Sequence, residues 1–253
     1  MRHLLQRHPL PVKAWFQHSL VLTYAVPADV LEPMLPPGLM LDTFGDFGFV
    51  AVAMVQTRQL RPTFLPRVLG QDFFLAGYRI FTRFRTAEGR LLRGLRILRS
   101  DTDRRRMVWG GNLLTHYHYR FAQANVSANT DAMTVEIVTP GAEADVHVVA
   151  RLNVPMETPP AGSPFQDLHQ ARLFAGPLPF TFDYEPETHS IIAIEGVRQN
   201  WKPMPVAVEV RQLTFLDRAP FDRTRPILAN AFYVHDIPYA WKRGVRHPLP
   251  VNP

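Results

Sequence analysis

The order of apolar and polar positions along this 253-residue chain predicts mainly β-strands. In Tyr78–Arg85 successive side chains alternate between two faces, so that Arg79 and Arg83 lie opposite Ile80. About nine or ten such segments, separated by turn residues, predict a barrel or stacked sheets. The other predicted strands are Phe47–Val55, His116–Gln123, Met133–Val138, Val146–Val154, Phe180–Tyr184, Ile191–Val197, Val206–Phe215 and Ala231–Val234.

Two helices are predicted between these strands. The first, Asp29–Leu35, is short because prolines stand on both sides of it. The second follows Ser163, a residue type that caps helices, and ends at Gly176. The segment Gly110–Asn112 is interpreted as a turn between strands. The apolar face of the second helix would comprise Phe165, Leu168, Ala171 and Ala175.

Length and composition favour one globular domain, residues 1–253, with 46% apolar and 20% charged residues. Met156–Ser163 is interpreted as a loop inside this domain. No segment approaches the roughly 18 apolar residues of a membrane helix, so no membrane partner is predicted. Met1–Pro11 lacks the continuous apolar stretch of a signal peptide. The chain has no cysteine, which excludes thiolate chemistry and predicts a cytoplasmic location.

The formal charge of +6 raises the question of a nucleic-acid partner. The basic residues are spread along the chain, and only Arg104–Arg106 forms a run, so no nucleic-acid partner is predicted. Of the 28 Lys and Arg residues, only Lys13, Lys202 and Lys242 are lysines. The sequence leaves open whether the chain forms a homo-oligomer.

Three residues are candidates for acid–base catalysis. On the predicted strand, His116 and His118 share a face, where they could exchange protons or bind a metal with a third ligand. The alternative is that both lie on the water-exposed face of a sheet. Glu195 is a lone carboxylate in an apolar strand, either a general base or the ion-pair partner of a buried arginine. Because nothing fixes a third ligand, neither a metal nor another cofactor is predicted.

Arginines within apolar strands are candidates for binding an anionic ligand. If Arg79, Arg83 and Arg96 face a cavity, their guanidinium groups suit a carboxylate or phosphate. If they face solvent, they form an ordinary polar stripe. Tyr117 belongs to an aromatic set that suits either a ligand cavity or a plain β core.

Five segments of the chain, taken in order, match the pattern of a known family: Leu22–Leu41, Tyr78–Arg85, Gly94–Asp103, Phe165–Phe174 and Ala231–Gly244. They resemble the acetoacetate decarboxylase-like superfamily, in particular its branch of conserved proteins of unknown function. The resemblance implies an α+β fold, mainly β, with an antiparallel barrel-like core around a small-molecule pocket and a few peripheral helices. It also favours placing Arg79 in that pocket.

In the resembling decarboxylases a lysine forms a Schiff base with the oxo acid. The matching region here, Asp101–Arg106, contains three arginines and no lysine, and Arg96 and Ala25 also depart from the family pattern. A Schiff base is therefore not expected, since a guanidinium stays charged and non-nucleophilic. Asp101, Asp103 and Arg105 would either line the cavity mouth or form an ion-paired turn.

The sequence thus predicts a protein that binds a small anionic or oxo-acid ligand without imine chemistry, with or without transforming it. The alternative is a non-catalytic ligand-binding or scaffold protein of the same fold. Whether the protein is an enzyme is left open.

Overall fold

The computed structural model describes residues 2–176 and 178–250, which are mainly in strands. The strands are β1 (Val12–Pro27), β2 (Leu39–Leu41), β3 (Phe47–Pro62), β4 (Gln71–Arg85), β5 (Leu91–Thr102), β6 (Tyr119–Phe121), β7 (Gln123–Ala128), β8 (Ala132–Val138), β9 (Val146–Pro155), β10 (Phe180–Glu185), β11 (Ser190–Arg198), β12 (Met204–Leu213), β13 (Ile227–Trp241) and β14 (Val245–Pro248). The helices are α1 (Arg2–Leu5), α2 (Ala28–Leu31), α3 (Arg105–Leu114) and α4 (Leu168–Ala175). Within the described residues, no helix has the length and apolar character needed to cross a bilayer.

Within these described ranges, seven strands close into a ring. Their order is β11-β10-β5-β4-β3-β1-β13, and β13 pairs again with β11. Neighbouring strands in the ring are antiparallel except β5 and β10, which run parallel over three residue pairs. The junction of β11 with β13 also comprises three residue pairs. The β10–β11 hairpin therefore completes the ring through two short junctions. The predicted fold class, α+β and mainly β, is confirmed.

Each ring strand presents two faces, because successive side chains point to opposite sides of the sheet. In β3, Val50, Val52 and Met54 belong to the main hydrophobic core. That core lies between the ring and a four-stranded arm, β12-β9-β8-β7, which continues from β13. The alternate residues of β3, such as Ala51 and Ala53, point the other way, into the ring. One strand thus supplies both a packed core and the wall of an interior space.

Most predicted strands are confirmed, but the predicted strand His116–Gln123 is wrong. Helix α3 ends at Leu114, the chain then turns through a loop in which His118 has a φ of 52°, and β6 is only three residues long. The alternation of apolar and polar residues there belongs mostly to a loop. The interpretation of Gly110–Asn112 as a turn is also wrong, because this segment lies within α3.

The helix predicted after Ser163 begins later than expected. Its cap is Asp167, whose Oδ1 accepts a hydrogen bond of 2.7 Å from the backbone N–H of Gln170. Ser163 instead donates its hydroxyl to the carbonyl of Ala229 at 2.8 Å. Of the predicted apolar face, Phe165, Ala171 and Ala175 pack together in one cluster, and Leu168 does not belong to it.

Candidate functional site

The ring encloses a cavity of about 340 Å³. Among the described lining residues only Leu10 and Arg106 are exposed, so the cavity opens between the N-terminal segment and α3. Most of the lining is apolar, as is usual for small-molecule sites, in which a few polar groups fix the orientation of the ligand. The apolar lining from β3 and β4 comprises Ala51, Ala53, Val55, Leu60, Phe73, Leu75 and Phe81.

Arg79 places a guanidinium on the wall of this cavity. It lies on β4, opposite Ala51 of β3 and Ile97 of β5. Its Nε is buried and has no hydrogen-bond partner in the protein. Burial lowers the pKa of the guanidinium, yet arginine remains protonated at any physiological pH. The cavity wall therefore holds a fixed positive charge.

Gly77 makes room for this guanidinium two residues earlier on the same face of β4. A Cβ at Gly77 would lie 2.8 Å from Arg79 Nη2 and 2.9 Å from Nε. Those separations are too short for real Cβ atoms, so any side chain at position 77 would displace the guanidinium. The absence of a side chain at Gly77 thus allows the guanidinium of Arg79 to occupy its observed position.

Three tyrosines surround Arg79 and interact electrostatically with it: Tyr117, Tyr119 and Tyr239. Burial raises the pKa of each hydroxyl, so all three are neutral hydrogen-bond donors at pH 7. Two of them also pack against glycines, because a Cβ at Gly111 would collide with the Tyr119 ring and one at Gly196 with the Tyr239 hydroxyl. The cluster is therefore held by close packing.

The charge of the described cavity wall is entirely positive. Besides Arg79, the wall includes Arg61, Arg106 and Arg198, and none of its described residues is Asp or Glu. Arg198 lies over the ring of Trp201, with its guanidinium carbon 5.3 Å from the ring centre. Arg61 donates Nη1 to the carbonyl of Gln59 at 2.7 Å. An enclosed wall with several cations and no anion attracts a negatively charged ligand.

His8 lines the cavity, although nothing in the sequence singles this histidine out. It is buried, and burial lowers the pKa of its imidazole to about 4, so the ring is neutral at pH 7. Its Nδ1 has no hydrogen-bond partner in the protein. A neutral imidazole can in general accept a proton or a hydrogen bond.

No lysine lines the cavity among the residues that the structure describes. Lys202 is exposed. The Nζ of Lys242 lies 2.9 Å from Oε2 of Glu195 in an ion pair at the surface. Lys13 is half-buried on β1 but does not contribute to the wall. An amine that could form a Schiff base is therefore missing from the described wall.

The predicted acid–base residues lie outside this cavity. His116 and His118 flank Tyr117, which alone of the three lines the wall. Both imidazoles have lowered pKa values, caused first by burial, and Arg96 lowers each further. Glu195 pairs with Lys242, which directly follows β13, so the predicted pairing with a buried arginine is wrong.

Two of the three predicted arginines are also outside the cavity. Arg83 lies 3.4 Å from Asp42 in an ion pair and donates Nη2 to the carbonyl of Leu41 at 3.1 Å. Arg96 does not line the wall, and its Nε is buried without a hydrogen-bond partner. Its electrostatic partner is the buried Asp183 on β10. Only Arg79, of the three, lies where a cavity ligand could reach it.

The segment that matches the decarboxylases' catalytic region forms ion pairs and packing contacts. Asp101 is buried and accepts hydrogen bonds of 2.9 and 2.8 Å from Arg99 Nε. Asp103 accepts the backbone N–H of Phe74 at 2.8 Å. Arg105 stacks over the ring of Phe121 at 4.7 Å. The neighbouring Arg106, not Arg105, reaches the cavity mouth.

The fold of the chain matches that of solved enzymes. MppR, an enduracididine biosynthesis enzyme complexed with the condensation product of pyruvate and imidazole 4-carboxaldehyde, has a TM-score of 0.64 at 16% identity, covering 94% of this chain and 89% of that one. Acetoacetate decarboxylase from Legionella pneumophila subsp. pneumophila str. Philadelphia 1 has 0.61 at 11%, covering 94% and 87%. An acetoacetate decarboxylase-like enzyme from Sphingomonas wittichii RW1 has 0.57 at 12%, covering 93% and 92%.

At these identities the solved structures show a shared fold and no more. No curated protein has a matching sequence. The acetoacetate decarboxylase-like fold that the resemblance implied is confirmed. Because a family model matches residues 13–243, from β1 through β13, the chain belongs to the DUF2071 family, described as "Uncharacterized conserved protein (COG2071)".

Proposed function

We propose that this protein binds a small anionic ligand, a carboxylate or oxo acid, in the ring cavity, with Arg79 as the principal contact. The observation that carries the proposal is the buried guanidinium of Arg79, with its Nε unpartnered in a described wall that has four arginines and no carboxylate. A guanidinium presents parallel N–H donors that match the two oxygens of a carboxylate. The neutral hydroxyls of Tyr117, Tyr119 and Tyr239 supply further donors beside it.

Any transformation of the ligand would proceed without an imine, because no lysine is part of the described wall. The groups at hand are neutral hydrogen-bond donors, a fixed positive charge and the neutral imidazole of His8. These suit stabilisation of negative charge that develops on a carbonyl or enolate oxygen, with His8 as the proton acceptor. The catalytic roles of His116, His118 and Glu195 are not part of this proposal, since all three lie outside the cavity.

The alternative is a non-catalytic ligand-binding or scaffold protein of the same fold. One observation favours this alternative: the three residues predicted for acid–base catalysis do not come together at the cavity. Glu195 pairs with Lys242 at the surface, and neither His116 nor His118 lines the cavity. In this alternative the cavity would bind and release a ligand without transforming it chemically.

Titration calorimetry with butanoate and with butanamide tests the proposal. The two probes have similar shape and differ in charge, so we expect butanoate to bind at least tenfold more tightly, given roughly 1.5–3 kcal/mol for hydrogen bonds to a charged group. Equal affinities would contradict a site built for anions. Incubation with pyruvate or acetoacetate tests catalysis: conversion of either acid supports the enzyme, and binding without conversion supports the scaffold.

Borohydride reduction in the presence of pyruvate tests the absence of imine chemistry. We expect the intact mass of the protein to stay unchanged, because no lysine is among the described residues of the cavity wall. A reduced adduct on Lys13, Lys202 or Lys242 would overturn this part of the proposal. A commercial aldolase that forms a lysine imine serves as the positive control for the trapping conditions.

Replacing Gly77 with alanine should weaken butanoate binding about tenfold, the cost of one hydrogen bond to a charged group. The added Cβ would displace the Arg79 guanidinium, which lies at the flexible end of a side chain, so the fold should tolerate the change. Gly89→Ala, in the turn between β4 and β5, is the control for binding, since a Cβ there meets no atom within 4 Å and Gly89 does not line the cavity. Unchanged butanoate affinity in Gly77→Ala would show that the position of the guanidinium is unimportant.

A further inference from the structure

The cavity is larger and more apolar than a three- or four-carbon acid requires. Its volume of about 340 Å³ is in the range of pockets that enclose drug-sized molecules, roughly 300–1,000 Å³. A short acid bound at Arg79 would leave most of the apolar wall facing water. That arrangement would be unfavourable, because burial of apolar surface is the main source of affinity in such pockets.

The strand register shows how far the apolar wall extends. Arg79 and Phe73 both line the cavity and are six residues apart on β4, which is about 20 Å at 3.3 Å per residue. Between them lies Leu75, paired with Val55 of β3, and Phe73 itself pairs with Thr57. The wall therefore continues from the guanidinium toward the mouth as one apolar strip.

Aromatic rings line the facing side of the same space. Phe16 of β1 stacks on Tyr239 of β13 with ring centres 4.6 Å apart, and Tyr239 is 4.5 Å from Trp241. Tyr239 also interacts electrostatically with Arg79, so the polar and aromatic parts of the wall meet at that residue. A ligand with its charge at Arg79 would lie with its carbon skeleton along these rings.

We infer that the ligand is a monocarboxylic acid with an extended apolar body, such as a medium-chain alkyl or an arylalkyl acid, rather than a three- or four-carbon oxo acid. This inference rests on the proposed function, since it takes carboxylate binding at Arg79 as its starting point. The carboxylate contacts Arg79, and the apolar body lies on the strip formed by Val55, Leu75 and Phe73, opposite Phe16. The cationic Arg106 at the mouth attracts the acid before it enters.

A chain-length series measured by calorimetry on the full chain tests the inference. Acetate, butanoate, hexanoate and octanoate, and the corresponding primary amides, are compared below the concentrations at which the acids form micelles. Each added methylene is expected to tighten binding of the acids about fourfold, since a buried methylene contributes about 0.8 kcal/mol. 4-Phenylbutanoate is expected to bind more tightly than butanoate for the same reason.

The outcomes separate the two proposals. Binding of butanoate with no gain in hexanoate or octanoate overturns the apolar-body inference and leaves anion binding at Arg79 in place. Equal binding of octanoate and octanamide overturns the proposed function, and the inference with it, even if affinity grows with chain length. A steady gain for the acids, together with weak amides, supports both.

A substitution on the apolar strip gives a second measurement. Val55→Phe fills the space between Arg79 and the mouth, so the ratio of octanoate affinity to butanoate affinity should fall. Val138→Phe, the same change at an exposed position of β8, is the matched control and should leave the series unchanged. An unchanged advantage for octanoate in a folded Val55→Phe variant contradicts the inferred path. Should that variant fail to fold, the wild-type series still decides.

Discussion

Arg79→Met is expected to reduce carboxylate affinity by roughly 30-fold to several thousand-fold, the effect of removing about 2–5 kcal/mol from a buried charged contact. The same substitution should raise the free energy of unfolding of the ligand-free protein by about 1–4 kcal/mol, because methionine removes a desolvated charge without a partner. Calorimetry with butanoate and denaturant unfolding measure the two effects. Opposite changes in binding and stability are characteristic of a site built for a ligand.

Arg83→Met is the matched control. Arg83 lies on the same strand, four residues further on, but its guanidinium pairs with Asp42 outside the cavity. We expect the control to keep its affinity for butanoate and to lose stability, because Asp42 would lose one of its two arginine partners. If Arg79→Met kept its affinity, or if it lost stability as the control does, Arg79 would be a structural residue.

Asp183→Asn is expected to change the pH dependence of stability strongly. Asp183 lies on β10 and is only 2% exposed. Burial raises the pKa of its carboxyl to about 7, and Arg96 opposes that rise without overcoming it. The carboxyl is therefore mostly neutral in the folded protein at pH 6, although it would be ionised in the unfolded chain.

The sign of the effect follows from this difference. A carboxyl whose pKa is higher in the folded state contributes stability that is complete below its unfolded pKa, about 3.9, and is lost as the pH rises through 7. Asparagine does not titrate, so the variant does not lose this stability as the pH rises. The variant should match the wild type near pH 4 and exceed it at pH 8 by on the order of 4 kcal/mol. Urea unfolding at pH 4, 6 and 8 measures the difference.

The opposite result would be equally informative. A variant that is less stable than the wild type at pH 8 would mean that Asp183 and Arg96 form a favourable ion pair and that the carboxyl pKa is depressed. Arg96→Met provides a second check, because removing the cation should raise the Asp183 pKa further and steepen the loss of stability with rising pH.

Five of the seven ring strands, β3, β4, β10, β11 and β13, overlap predicted strands, whereas β1 and β5 were not predicted. Strand β3 could be recognised by its continuous apolar run, and β4 by the alternation of its side chains. In Tyr78–Arg85 the placement of Arg79 opposite Ile80 is confirmed, since Ile80 packs in the main core and Arg79 lines the cavity. Helix α3 was missed because two glycines at its centre and three arginines at its start resemble a turn. Its formation depends on tertiary contacts, notably the close packing of Gly111 on Tyr119.

The site was predicted only in part because its members come from distant segments. Arg79 and Tyr117 were selected and do line the cavity. His8, Arg61, Arg198 and Tyr239 were missed, and ring closure is what brings them together. Continuing the alternation of β3 beyond Val55 would have pointed to Thr57 as a cavity residue, but a bulge near Gln59, with φ of 55°, breaks the alternation before Arg61. No local signal distinguishes His8 from the surface histidines.

The two short junctions of the β10–β11 hairpin make it the segment of the ring that separates with the loss of the fewest hydrogen bonds. Thr181 on one strand and Arg198 on the other both reach the cavity. A ligand that touches them spans the joint between the hairpin and the rest of the molecule. Ligand binding and opening of the ring would then be coupled equilibria, so that a bound ligand stabilises the closed ring and opening weakens binding.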